Sequence, residues 1–240
     1  MKKPVIGIVS KNITIEDFYN WSWQRISNDV RYSVYKNGGL VMGILPQTTR
    51  KDFNQEDESE KIKLTNKEKD DILFFVNQCD GIILQGGISS HNYEEFIAKY
   101  CYEHDIPLIG ICAGYNNIIR GLGGRAEKIL NTNVHDRPDL QYAHKCLVAD
   151  KDSLFFKLVK SSRFDVNSVH TYVGTHIPPQ LSVVATSNDG QVEVVEAKDK
   201  TFYIGIKYHP ELLVDIDKKQ NNIFRMFVKV CKDKSNKLEK

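Results

Sequence analysis

Four short apolar runs, Val5–Ser10, Leu40–Leu45, Gly81–Leu84 and Pro107–Ile111, recur through the first half of the chain, with helix-patterned stretches between them. Runs of this length, rich in β-branched residues, suit central parallel strands buried on both faces. Their alternation with helices predicts an α/β fold, a mostly parallel central sheet flanked by helices. The spacing predicts a helix from about Trp21 to Lys36, stopped by Asn37-Gly38-Gly39. Thr65 and Glu68 stand at capping-box spacing and start a second helix that runs to about Gln78. Tyr93–His104 is a third. Trp21, Trp23 and Tyr19 read as core-packing aromatics at the first helix entry, and the charged stretch Arg50–Lys63 as a solvated loop.

After Gly124 the strands become shorter: Ala143–Val148, Phe164–Val169, Leu181–Thr186, Val192–Glu196 and Thr201–Tyr208, with helices around Ser153–Val159 and Ile216–Cys231. No repeat, linker or low-complexity block interrupts them, so a single domain over residues 1–240 is expected. Lys and Arg total 33 against 31 acidic residues, a net charge of +2, which gives no basis for a nucleic-acid or membrane-surface partner. No apolar stretch approaches the ~20 residues of a bilayer span, and Val5–Val9 is too short for a signal-peptide core. Five scattered cysteines without a CxxC pair fit a reducing, cytoplasmic setting. No GxGxxG or GxxxxGK run is present, so no nucleotide cofactor is expected. No metal is expected either: His91, His135 and Asp136 lack the spacing of a ligand set.

The segment Leu108-Ile109-Gly110-Ile111-Cys112-Ala113-Gly114-Tyr115-Asn116 carries the chemistry. A buried strand runs into a cysteine with glycine two residues away on each side, and a helical pattern follows. Small neighbours permit a tight strand-to-helix turn that holds Cys112 at the carboxyl edge of the sheet, where open α/β sheets place their ligands. The helix amino terminus favours the thiolate, and the Ala113 amide can donate to a developing oxyanion. Alone, Cys112 reads equally well as a small hydrophobe at a strand end.

Its weight comes from the run Gly205-Ile206-Lys207-Tyr208-His209-Pro210-Glu211. His209 follows an apolar strand and precedes a proline that stops it. Glu211, two residues on, can accept from the second ring nitrogen and fix the tautomer. GIC-x-G with a distant YHPE resembles the class I glutamine amidotransferases, and within them the γ-glutamyl hydrolase-like branch, peptidase family C26. Pro4–Ile8, Cys79–Gly87, Tyr142–Val148 and Val166-Asn167-Ser168-Val169-His170 match further segments of that branch in order. The resemblance implies a flavodoxin-like fold and a triad of Cys112, His209 and Glu211. It also implies an oxyanion hole from the amides of Ala113 and Gly87, and a substrate wall drawn from Gly86, Asn116, Ser168, Val169 and His170.

The implied reaction is hydrolysis of the γ-glutamyl amide of a small amine or conjugate through a thioester on Cys112. A glutaminase subunit serving a separate synthetase is the alternative, and a non-catalytic α/β binding module a second. About 30 residues follow His209, too few for a synthetase domain, so the chain is expected to work alone or as a homodimer. The chain departs from the family at Asn116, where glutamine is usual, at Ala113, at Gln85, where proline usually precedes the double glycine, and at Thr171 and Tyr172. These departures bear on the substrate. His170 reads either as a pocket residue or as a strand-end histidine bonded to main chain. His144 and the patch His135-Asp136-Arg137 read as structural or rim residues.

Overall fold

The computed structural model of the chain describes residues 2–15, 21–48, 63–87, 92–129 and 134–238. A nine-stranded mixed sheet forms its centre. Strand β1 (Val5–Val9) pairs in parallel with β4 (Leu40–Ile44) on one side and β5 (Gly81–Leu84) on the other. β5 pairs in parallel with β6 (Leu108–Ile111), and β6 with β13 (Tyr203–Ile206). Beyond β13 every pairing is antiparallel, through β12 (Val192–Glu196), β11 (Ser182–Ser187), β8 (His144–Val148) and β9 (Arg163–Val166). Every residue of β5, β6 and β13 is buried, as central strands require, whereas β4, expected among the buried strands, lies at the sheet edge with Leu40 44% exposed.

Helices cover both faces, and strand periodicity assigns residues to each. Ile6, Ile8, Ile83 and Ile109 join one core with Val30 and Val34 of α1 (Asn28–Lys36), Phe155 of α5 (Leu154–Val159) and Phe224 and Phe227 of α6 (Lys218–Leu238). Val9, Ile82, Leu84 and Leu108 face the other core. That core takes Ile72 and Val76 of α2 (Asn66–Val76), Ile97 and Cys101 of α3 (Asn92–Glu103) and Tyr115 and Ile118 of α4 (Ala113–Gly121). Thr65 and Glu68 form the expected reciprocal capping box on α2.

The first helix is shorter than its pattern suggested. Residues 21–25 form a strand, β3 (Trp21–Arg25), in a hairpin with β2 (Lys11–Ile15), Ile13 lying opposite Trp23. Helix α1 begins only after Ser27, whose hydroxyl accepts from the Val30 amide. Trp23 is 46% exposed and is therefore no core residue. Tyr19, residues 50–62 and His91 lie outside the described residues. A second small sheet, unforeseen, pairs β7 (Arg125–Lys128) with β10 (Tyr172–His176). Strand β9 ends at Val166, so residues 167–170 belong to the loop that follows. Among the described residues no helix is long and apolar enough to cross a membrane.

Candidate active site

Cys112 caps α4 at the end of β6, with φ 52° and ψ −100°, a backbone conformation that non-glycine residues rarely adopt. Its amide donates to the Ile206 carbonyl of the neighbouring strand, 2.9 Å away, which pins the turn to β13. The flanking glycines are dictated by contact. A Cβ on Gly114 would lie 2.0 Å from the Leu84 carbonyl oxygen, and one on Gly110 2.6 Å from the Gly114 carbonyl oxygen. The sharp turn exists because α4 crosses directly over β5 and β6.

His209 follows β13, the strand hydrogen-bonded to β6, so sheet pairing brings it to the cysteine. Its Nδ1 lies 2.7 Å from Glu211 Oε1, and its charge acts on the Cys112 thiol. With Nδ1–H donating to Glu211, Nε2 is left for the thiol. The main chain of His209 is held on both sides by one side chain: Asn167 Nδ2 donates to the His209 carbonyl and Asn167 Oδ1 accepts from its amide, each at 2.8 Å.

Burial alone would push the Cys112 thiol up; the His209 and Lys207 charges outweigh it and bring it down to about 7. Burial likewise opposes the imidazolium of His209, yet Glu211 and the thiolate hold its pKa well above the usual histidine range. The other cysteines move the opposite way. Burial pushes Cys79 up to about 12 and raises Cys101, Cys146 and Cys231 as well.

A cavity of about 640 Å³ opens on Cys112 and His209 and is lined also by Gly86, Gly87, Ala113, Asn116, Val169, His170 and Glu211. These include every expected site residue but Ser168, which is fully buried and donates to the His135 carbonyl at 2.6 Å, bracing the wall from behind. Gly86 must lack a side chain because a Cβ there would meet His209 Cε1 at 2.7 Å. Gln85 ties the double-glycine loop to its surroundings: its amide donates to the Val9 and Arg25 carbonyls and its oxygen accepts from the Ser27 amide. Beside Gly87 runs the buried stem of Lys11, whose ammonium pairs with buried Glu94 at 2.6 Å.

Several lining residues escaped the sequence reading. Arg25, Arg120 and Lys207 place cations on the cavity wall, and Asp136, read from the sequence as a structural or rim residue, adds an acid. Lys207 is fully buried, donates to Asn116 Oδ1 at 3.0 Å and lies over the Tyr115 ring. Its signal was present, a lysine inside the apolar run that ends at His209. His170 lines the cavity too, and burial and the charge of Lys207 keep it well below the usual histidine range, hence neutral. His135 and His144 are buried against it, away from any rim.

Residues 88–211 match the family described as Peptidase C26. The chain belongs to the peptidase C26 family. This places it among the amide hydrolases of glutamine amidotransferase type. As a C26 protein it is 31% identical over 159 residues to one subunit of the glutamine-hydrolysing GMP synthase of Methanobrevibacter smithii, across 65% of this chain and 75% of that one. It is 29% identical over 150 residues to the γ-glutamyl-γ-aminobutyrate hydrolase PuuD of Escherichia coli, across 56% of this chain and 58% of the hydrolase. A 134-residue match at 32% identity covers 55% of this chain and 24% of the glutamine-hydrolysing GMP synthase of Thermosipho melanesiensis. Among solved structures, the glutaminase domain of Trypanosoma brucei CTPS with bound acivicin shares this C26 chain's fold, with a TM-score of 0.65 at 16% identity over 96% of this chain and 94% of that one.

Proposed function

We propose that the chain hydrolyses the γ-glutamyl amide bond of a small γ-glutamyl amine or conjugate and releases glutamate. The observation that carries this reading is the Cys112–His209–Glu211 array, whose thiol alone among the described cysteines is brought down to about 7. The Cys112 thiolate attacks the amide carbonyl. The Ala113 amide, in the first turn of α4 without a helical acceptor, and the Gly87 amide stabilise the oxyanion. The imidazolium of His209 gives its proton to the departing amine, leaving a γ-glutamyl thioester. His209, now neutral, takes a proton from water as it attacks, and glutamate departs as the thiol is restored. Arg25, Arg120 and Lys207 suit the α-carboxylate of a glutamyl group, and Asp136 its ammonium.

The similarity to a glutamine-hydrolysing part of GMP synthase favours a second reading, a glutaminase that passes ammonia to a partner. Glutamate release by the purified chain, from glutamine and from a panel of γ-glutamyl amines, separates the two. Release from amines without any partner is expected; activity confined to glutamine and dependent on an added synthetase would establish the second reading. A γ-glutamyl adduct on Cys112, trapped by acid quench and mapped by mass spectrometry, distinguishes both from a silent binding module. Cys112→Ala and His209→Ala are each expected to lose several orders of magnitude in kcat, and Glu211→Ala less.

A further inference from the structure

Behind the cavity wall, four side chains far apart in sequence converge: His135, His144 of β8, His170 and Glu193 of β12. One ligand-type atom from each lies within 4.8 Å of all the others. They are 1%, 8%, 5% and 0% exposed. Buried polar atoms are nearly always hydrogen-bonded, yet His135 Nδ1, His144 Nε2, both nitrogens of His170 and both carboxylate oxygens of Glu193 have no hydrogen-bond partner.

The geometry of the paired atoms is equally telling. His144 Nε2 stands 3.3 Å from Glu193 Oε1, and His170 Nε2 3.8 Å from the same oxygen, without forming hydrogen bonds. A tetrahedral ion with bonds of about 2.0–2.2 Å spaces its ligand atoms about 3.3–3.6 Å apart. The far side of two rings is already anchored. His135 Nε2 meets Asp189 Oδ2 at 2.8 Å, and His144 Nδ1 meets the Lys145 carbonyl at 3.2 Å. A histidine whose outer N–H donates to a carboxylate or carbonyl presents the lone pair of its inner nitrogen, the arrangement that orients imidazole on a metal.

We propose that His135, His144, His170 and Glu193 form a structural site for a divalent transition metal of the zinc class. The donor set is three imidazole nitrogens and one carboxylate, without sulfur, which suits zinc. Asp189 and Glu193 bring two carboxylates to the cluster, and the charge of Lys207 also acts on Glu193 and His170. Four protein ligands in a buried setting make a closed, four-coordinate site. The ion would bind together β8, β12 and the two loops that form the cavity's back wall. Those loops are already paired, the His170 amide donating to the His135 carbonyl at 3.0 Å and the Arg137 amide to the Ser168 carbonyl at 2.8 Å. Val169, between two of these residues, accepts from the Cys112 thiol at 3.7 Å. The ion would therefore set the position of the wall against the thiol.

The test uses tag-free protein carrying Cys112→Ser, which removes a competing thiol ligand. After expression with added zinc, elemental analysis is expected to find one equivalent per chain. Chelation should lower Tm, and Zn²⁺ should restore it. Co²⁺ in place of zinc should give visible d–d bands and no thiolate charge-transfer band. His144→Ala should lose the metal, and Asp189→Ala should bind it about 10–100-fold more weakly. Cys112→Ser protein that takes up no zinc and shows no zinc-dependent Tm would overturn the site, as would full occupancy in His144→Ala. Should His144→Ala fail to fold, Glu193→Gln replaces it, and the stoichiometry of Cys112→Ser decides without either.

Discussion

The opposing displacements of the cysteine thiols lead to a prediction about modification by a small aliphatic disulfide. With a pKa of about 7, roughly half of Cys112 is thiolate at neutral pH, whereas Cys79 at about 12 is thiolate in roughly one molecule in 10⁵. That population ratio of ~5 × 10⁴ is offset because a more basic thiolate is the better nucleophile. A Brønsted slope of about 0.4–0.5 over five pH units returns ~10²-fold or somewhat more. Cys112 should thus react a few hundredfold faster than Cys79, and the pH profile of its modification should inflect near 7. His209→Gln removes the first of the two charges that hold the thiol down, leaving Lys207 alone against burial. The inflection should move up to the ordinary thiol value of 9.0 or beyond. Two units of displacement cut the thiolate at neutral pH by ~50-fold and return ~8-fold in nucleophilicity, a net slowing of about sixfold. Time-resolved peptide mapping across a range of pH reads all of this. Modification of Cys79 ahead of Cys112 in folded protein, or an inflection unmoved in His209→Gln, would refute the electrostatic argument.

Three further outcomes follow from the geometry. Cys112→Gly should melt above Cys112→Ala, because the backbone conformation at 112 costs a non-glycine residue about 1–3 kcal/mol, more than the 0.5–1 kcal/mol that glycine loses in chain entropy; calorimetry of the two variants decides. Asn167→Ala leaves the His209 amide and carbonyl without their partner, so a loss of about 1–3 kcal/mol in urea unfolding is expected together with a fall in kcat. Asn116→Gln lengthens the acceptor that holds Lys207 and should change KM or the preferred amine more than Tm, measured across several γ-glutamyl substrates.

The parallel half of the sheet was legible because each strand is a local, mostly apolar run, and Gly81–Leu84 and Val192–Glu196 matched to the residue. The Cys112 turn was legible for the same reason: strand, glycines and helix are contiguous. What stayed hidden depends on contacts distant in sequence. Trp21-Ser22-Trp23-Gln24-Arg25 alternates as a strand, but its residues also fit the entry of the helix that follows. Lys11 and Lys207 would be solvent residues on composition, and only the fold encloses them, one against Glu94 and the other against Asn116. His135, His144, His170 and Glu193 have no common spacing; the antiparallel pairing of β8, β11 and β12 aligns His144 with Glu193, and main-chain bonds between two loops bring His135 and His170 together.

The change of direction between β13 and β12 divides responsibility for the cavity. Cys112 and His209 both extend from the parallel side, on strands joined by an in-register ladder, Ile111 opposite Ile206 and Gly110 opposite Gly205. Their separation is therefore fixed by strand spacing and the register of main-chain hydrogen bonds, which substitutions in loops cannot readily alter. The part of the cavity wall formed by Val169 and His170, in the loop after β9, belongs to the antiparallel side. Descendants of such a chain could accept a different ligand by rebuilding that wall alone, while Cys112 and His209 passed from one to the next unchanged.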